Sequence, residues 1–270
     1  MSSPTSKGVA VVTGASSGIG AVYADRLAKR GYDLILVARN KDRLKTVAHS
    51  IESETGRKVK IFPADLSNKS GLAKVEALLR DDKSITLLVN NAGIGSVASI
   101  LQADVETMTD MIALNITALT RLTYAVTPTF VARGSGTIIN IASVVGIAAE
   151  MLNGVYSASK SYVISFGHSL QKDLAGKGVR VQTALPGATA TEFWDVAGYA
   201  AQKTSAITMS AEDAVDAALV GLDNGELVTI PGLHDGEAWD RWEADRRELS
   251  KKFGNSKPAP RYGVKSTAAA

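Results

Sequence analysis

Short apolar runs separated by longer stretches of mixed character recur along this chain almost from end to end. The runs at 8–14 (GVAVVTG), 33–39 (DLILVAR), 59–65 (VKIFPAD), 85–93 (ITLLVNNAG), 136–143 (GTIINIAS), 179–187 (VRVQTALPG) and 227–232 (LVTIPG) predict strands. Most are rich in Val, Ile and Leu without clean alternation, as expected of strands covered on both faces of a sheet. Between them, apolar residues at helical spacing predict helices near 18–30, 41–55, 69–81, 104–132, 155–176 and 211–223. Strand and helix repeating in this way predict an α/β fold: a doubly wound, seven-stranded parallel sheet with right-handed crossovers and helices on both faces.

Two segments break the rhythm. Residues 188–210 follow the sixth strand and carry Phe193, Trp194 and Tyr199 in a Thr/Ala-rich setting. A connection this long inside a compact α/β domain is often a functional lid. The tail from 254 to 270, GNSKPAPRYGVKSTAAA, lacks apolar periodicity and is expected to be mobile. Just before it, Trp239, Trp242, Leu249 and Phe253 fit one face of a helix that packs on the core or on a partner subunit, or lines a pocket. One domain over 1–253 is expected, with no second domain evident.

Composition narrows the function classes. With 270 residues, 45% hydrophobic and 21% charged, the chain is ordinary for a soluble globular protein. It has no cysteine, which excludes disulfides, thiolate nucleophiles and thiolate metal sites. The opening MSSPTSKGVAVVTG lacks the basic region, apolar core and cleavage site of a signal peptide. The most apolar stretch, TIINIASVVGIAAEML, is broken by Asn140, Ser143 and Glu150, so a membrane span is not expected and a cytoplasmic location is. Net charge is +3, but the basic residues are dispersed, and their densest cluster, RNKDRLK at 39–45, contains an acid. Nucleic acid is therefore not an expected partner, whereas an anionic cofactor suits a local positive charge. His49, His168 and His234 are not grouped with carboxylates, so no metal site is expected.

The chemistry concentrates at strand ends. TGASSGIG, from Thr13 to Gly20, follows the first strand and opens the first helix. Gly14, Gly18 and Gly20 let backbone approach a ligand closely, and a helix N-terminus attracts phosphate; at this position the turn reads as a dinucleotide site, with Ser16, Ser17 and Ile19 among its contacts. The second strand ends in Ala38 and Arg39, with Asn40, Lys41 and Arg43 behind and no carboxylate at the strand end. That favours a 2′-phosphate, hence NADP(H), over NAD(H). Asp65, beside Leu66, either accepts a hydrogen bond from adenine or caps the next helix. In GVYSASKSYV, Tyr156 and Lys160 stand one helical turn apart. An ammonium at roughly 5 Å, with effective dielectric ~20, favours a phenolate by ~3 kcal/mol, which would tune Tyr156 as an acid/base near neutrality; the competing reading of the spacing alone is a solvated helix face.

These pieces in this order resemble the short-chain dehydrogenase/reductase family, of the single-domain Rossmann type, over residues 8–232. The resemblance rests on TGASSGIG, NNAG at 90–93, Asn115 in LNITALT, Ser143 in INIAS, YSASK at 156–160 and PGATAT at 186–191. It implies that Tyr156 exchanges a proton with the substrate oxygen and that Ser143 orients that oxygen. It implies that Lys160 lowers the tyrosine pKa and binds the nicotinamide ribose. Asn115 would perturb its helix and hold a water linked to the lysine. Asn90, Ala92 and Gly93 would stabilise the central sheet and border the adenosine half of the cofactor, with Asn91 among the contacts. Pro186, Gly187 and Thr191 would form the nicotinamide-side loop.

The resulting expectation is an NADP(H)-dependent oxidoreductase that interconverts a carbonyl and an alcohol. The alternatives are an NAD(H)-preferring alcohol dehydrogenase of the same family and a catalytically silent NADP(H)-binding protein. By analogy with the family, a homodimer or homotetramer through helices 104–132 and 155–176 is expected. Phe193 and Trp194, with Tyr199, suggest an apolar or aromatic ketone, aldehyde or diketone, or serve only to pack the lid.

Overall fold

A computed structural model describes residues 6–264, so residues 265–270 of the expected tail lie outside the described residues. The chain divides into two units, Met1–Gly232 and Leu233–Ala270.

The first unit is built on a seven-stranded sheet of β1 (Val9–Thr13), β2 (Asp33–Ala38), β3 (Val59–Pro63), β4 (Ile85–Asn90), β5 (Gly136–Ile141), β6 (Val179–Ala184) and β7 (Val228–Thr229). Its order is β3-β2-β1-β4-β5-β6-β7 and every pairing is parallel, a Rossmann-type arrangement. Its helices are α1 (Gly18–Lys29), α2 (Lys41–Thr55), α3 (Lys69–Asp81), α4 (Val105–Ile112), α5 (Leu119–Arg133), α6 (Gly154–Asp173), α7 (Phe193–Val196) and α8 (Ala211–Asp223).

The apolar strands lack polar alternation because each face has its own helical cover. Ala10, Val12, Leu34, Leu36, Leu87 and Val89 point to α1, α2 and α8, packing with Leu27, Leu44, Ile51 and Leu219. Val11, Ile35, Val37, Leu88 and Ile138 point the opposite way, onto Val75, Leu79, Leu122, Val126 and Phe130 from α3 and α5. Successive strand residues thus feed two separate cores.

Two elements depart from the expected pattern. The helix expected over 104–132 is interrupted by a π-helical segment, Ala113–Ala118, between α4 and α5. The wider turn holds Asn115, whose side-chain amide is bonded to the backbone of Ile94 outside the helix. The last strand, expected over 227–232, shrinks to β7, because Pro231 just beyond it has no N–H to give a ladder.

The segment 188–210 is ordered around the short helix α7. Its base is pinned by two backbone bonds, Met209 N–H to the Ala188 carbonyl (2.9 Å) and Ala190 N–H to the Met209 carbonyl (2.8 Å). Ala197 accepts a bond from Val97 N–H (3.1 Å), joining this segment to the loop after β4. In the second unit, α9 (Gly236–Ser250) stacks Trp239 on Trp242 with ring centroids 4.9 Å apart.

Phe130 is completely buried, and its ring lies where a Cβ on Gly136 would come within 2.3 Å. Phe130→Ala is expected to destabilise the protein by about 3–5 kcal/mol, read as a lower urea midpoint. An unchanged midpoint would mean that this layer does not carry the fold.

Candidate active site

At the carboxyl ends of the central strands lies a cleft of roughly 720 Å³. It opens beside β1 and β4, where the strand order reverses and consecutive connections leave toward opposite faces.

One wall is the turn from β1 to α1. Gly14, Ser16, Ser17, Gly18 and Ile19 line the cleft. Gly14 takes φ +67°, a conformation an L side chain rarely adopts. Ser17 begins α1 in an extended conformation without a side-chain cap, and no acid occupies the first turn. The helix therefore presents N–H groups and a positive dipole end to the cleft, a fit for the pyrophosphate of a dinucleotide. Gly20 does not line the cleft, contrary to its expected place among the contacts. A Cβ there would sit 2.3 Å from the Gly14 carbonyl oxygen, so this glycine permits close packing of the helix under the turn.

Exposed Arg39, at the end of β2, and Asp65 and Leu66, after β3, line the next wall. Asp65 accepts from Ser67 N–H (2.9 Å) and from the Ser67 hydroxyl (2.7 Å). The Ser67 hydroxyl, with Arg39 nearby, holds its carboxyl below the usual range. Asp65 does not cap the next helix: Asn68 does, accepting from Gly71 N–H (2.7 Å).

Asn91, Ala92 and Gly93, beyond β4, also face the cleft. The Asn91 side chain donates to the carbonyls of Thr13 (2.9 Å) and Gly14 (3.3 Å), so it fixes the cofactor turn rather than reaching out to a ligand. Thr13 answers it: its buried hydroxyl donates to the Val89 carbonyl (3.1 Å) and accepts from Asn91 N–H (3.0 Å) and Ala92 N–H (3.1 Å). Asn90 points instead into the core, donating to Thr123 (3.0 Å) and Asn140 (2.9 Å).

At the far end, Ser143, Tyr156 and Lys160 meet. Ser143 follows β5, with its hydroxyl 3.3 Å from the Pro186 carbonyl and 3.4 Å from Val145 N–H. These long contacts cap a short 3-10 turn, Val144–Gly146, and leave the hydroxyl near the Tyr156 phenol. Lys160 Nζ lies 5.7 Å from the Tyr156 ring centroid and donates to the Ile141 carbonyl (2.9 Å). Asn115 stands behind: Oδ1 accepts from Ile94 N–H (3.0 Å), while Nδ2 donates to the Ile94 carbonyl (2.9 Å) and the Ser159 hydroxyl (3.1 Å). A Cβ on Gly93 would be 3.0 Å from Asn115 Oδ1 and 3.7 Å from Lys160 Nζ, so amide and ammonium border one small gap.

Pro186, Gly187 and Thr191 also line the cleft, together with Phe193 and Trp194, and Thr191 closes against the glycine turn, where a Cβ on Gly18 would lie 3.0 Å from its Cγ2. Phe193 rests on Tyr156, with ring centroids 5.4 Å apart. Trp194 is buried and donates its indole N–H to the Thr189 carbonyl (2.9 Å), so packing the lid is a large part of its role.

A sequence profile of the short chain dehydrogenase family matches residues 8–202. The chain belongs to the short-chain dehydrogenase/reductase family. An uncharacterized oxidoreductase of Staphylococcus saprophyticus is 36% identical over 223 residues, covering 82% of this chain and 94% of the relative. A short-chain dehydrogenase from Sphingobium yanoikuyae in complex with NADPH is 45% identical with a TM-score of 0.91, covering 94% of this chain and all of the other. The bulky-bulky ketone specific alcohol dehydrogenase from Comamonas testosteroni is 40% identical with a TM-score of 0.88, covering 96% and 99% of the two chains. The protein is an oxidoreductase of this short-chain dehydrogenase/reductase family.

In this short-chain dehydrogenase/reductase, burial reverses the sign expected for the tyrosine. Desolvation pushes the Tyr156 phenol above its ordinary value, and the nearby Ser143 hydroxyl offsets only part of that. The same desolvation lowers Lys160 from 10.5 to about 8. A spacing argument counts the attraction between the two groups and omits the cost of taking each charge out of water.

Three positions that the sequence reading passed over also shape the site. Asn153 caps α6, accepting from Val155 N–H (2.9 Å) and Tyr156 N–H (3.2 Å), and so fixes the turn that carries the tyrosine. An Asn just ahead of a helical run is a legible cap signal. Ser159 joins α6 to Asn115, and Glu192 lines the cleft in an ion pair with Arg43. Nothing local in the sequence announces these last two contacts.

Because the folded pKa of Lys160 lies below its unfolded value, the unfolded chain holds the extra proton between about pH 8 and 10.5. Stability from this group is therefore lowest below about pH 8 and rises toward 10.5. Tyr156 acts in the opposite sense above about pH 10, where the unfolded phenol ionises first. Urea unfolding of wild type minus Lys160→Met, a difference that leaves the phenol in both proteins, should rise by about 3 kcal/mol across that window. A flat difference would show that the ammonium is not desolvated.

Proposed function

We propose that the protein is an NADP(H)-dependent oxidoreductase that interconverts a ketone carrying bulky apolar groups and the corresponding alcohol. The observation that carries this reading is the Ser143–Tyr156–Lys160 cluster at the end of a cleft lined by a dinucleotide turn. Arg39 just after β2, with no carboxylate at that strand end, supports the 2′-phosphorylated cofactor, and the relative in complex with NADPH supports the same choice.

The first turn of α1 would hold the pyrophosphate, Arg39 the 2′-phosphate, Asp65 and Leu66 the adenine side, and Pro186, Gly187 and Thr191 the nicotinamide side. When bound, the reduced cofactor would supply the hydride, a hydrogen with its electron pair, that the carbonyl carbon needs to become an alcohol carbon. Ser143 donates a hydrogen bond to the substrate oxygen and holds it against Tyr156. The raised phenol pKa keeps Tyr156 protonated at neutral pH, the form that reduction requires of an acid. As negative charge grows on the oxygen, Tyr156 transfers its proton there, and the Lys160 ammonium favours the phenolate left behind. Alcohol oxidation needs the phenolate at the outset, so the same burial disfavours that direction at neutral pH.

The substrate class follows from the mouth of the cleft. Val145, Met151, Leu152, Phe193, Tyr199 and Ile207 make it broadly apolar. This composition, with the ketone specificity of the 40% identical relative, supports a substrate with large apolar groups on the carbonyl. Self-association through α5 and α6 accompanies this reading. Tyr124, 69% exposed, stacks at 6.4 Å on Phe166, which stacks at 5.7 Å on Tyr162, forming an aromatic surface across the two helices.

NADPH consumption against a panel of bulky diaryl and aryl-alkyl ketones, small ketones, aldehydes and acyl thioesters tests the reading. Bulky ketones should turn over best, and Tyr156→Phe should lower turnover by about 100- to 10,000-fold while NADPH binding survives. Equal turnover in wild type and variant would refute the tyrosine's role. Binding without turnover of any compound would favour a silent NADP(H)-binding protein.

A further inference from the structure

Arg43, in the first turn of α2, and Glu192, immediately before α7, both line the cleft and form an ion pair through Arg43 Nη1 and Glu192 Oε2. The pair joins the wall that carries Arg39 to the start of the lid. Each side chain is about half exposed, 53% and 52% respectively, so the pair is solvated and weakly held. Arg39 and Arg43 are one helical turn apart in sequence, and each has an acid opposite: Asp65 feels the Arg39 charge, and Glu192 bonds Arg43.

We propose that Glu192 is a specificity-determining residue for the cofactor: it occupies the Arg43 guanidinium that a 2′-phosphate would otherwise engage. The inference rests on the NADP(H) reading above. A phosphate carries up to two negative charges and three acceptor oxygens and binds a guanidinium in a fork, whereas Glu192 offers one charge through one oxygen. A 2′-phosphate beside Arg39 therefore takes Arg43 from the carboxylate. An unphosphorylated ribose offers no such competitor and leaves the pair intact. Glu192 thus narrows the preference for the phosphorylated cofactor, since part of the phosphate's gain is spent in breaking the pair. It also links that choice to the lid, because the next residue, Phe193, lies on Tyr156.

Equilibrium binding of 2′,5′-ADP and of 5′-ADP, by calorimetry, separates this role from catalysis because neither probe contains nicotinamide. Wild type should prefer 2′,5′-ADP. Glu192→Gln should tighten 2′,5′-ADP by about 2- to 5-fold, the worth of an exposed ion pair, and leave 5′-ADP unchanged. In an Arg43→Gln background, which should weaken 2′,5′-ADP on its own, the gain from Glu192→Gln should vanish. If wild type prefers 2′,5′-ADP but Glu192→Gln binds it no better, the role of Glu192 is overturned and the NADP(H) reading stands. If wild type shows no preference for 2′,5′-ADP, both fall together.

Discussion

An ammonium group buried at the carboxyl end of β5 sets the terms for the rest of the catalytic end. Removing a charge from water costs several kcal/mol unless polar groups replace the lost hydration. Lys160 meets that demand with one direct bond, to the Ile141 carbonyl, and with the Asn115 amide across the gap kept open by Gly93. The bond count is low for a group with three donors, and the lysine pKa falls accordingly. The same dry surroundings keep the nearby phenol protonated, so one desolvated pocket gives both groups their acid–base character.

Holding that pocket in place falls to side chains that spend their hydrogen bonds on backbone. Thr13 and Asn91 stitch the end of β1 to the end of β4, and Asn115 clamps Ile94 just beyond. Thr13 and Asn91 stand where loops leave the sheet, and Asn115 reaches the loop after β4 from its helix; loop backbone has no ladder to satisfy it. The π-helical segment is the local consequence. Its wider turn accommodates Asn115 while the amide remains bonded to Ile94, at the expense of regular α-helical bonding over Ala113–Ala118.

The lid obeys a different logic. Its base is fixed by backbone bonds at Met209 and its interior by buried Trp194, but Thr191, Glu192, Phe193, Val196, Tyr199 and Ile207, which also line the cleft, are exposed or partly exposed. Arg43 and Glu192 lie on opposite sides of this boundary, where solvation makes the ion pair weak and therefore exchangeable. A rigid sheet with a loosely tied cover permits a common scaffold to position the reaction while loops choose the substrate.

Periodicity and composition determined the layered α/β fold, because each strand's apolar residues must be covered on two faces and only alternating helices provide that cover. The order of the chain's motifs, through their resemblance to the short-chain dehydrogenase/reductase family, located Ser143, Tyr156, Lys160, Asn115 and the glycine turn. Tertiary structure alone decided what depends on neighbours remote in sequence. It made Gly20 a packing residue through the Gly14 carbonyl, assigned the helix cap to Asn68 rather than Asp65, and brought Glu192 to Arg43. It also reversed the tyrosine's expected pKa shift: attraction can be estimated from a four-residue spacing, but desolvation is set by everything that surrounds the pair.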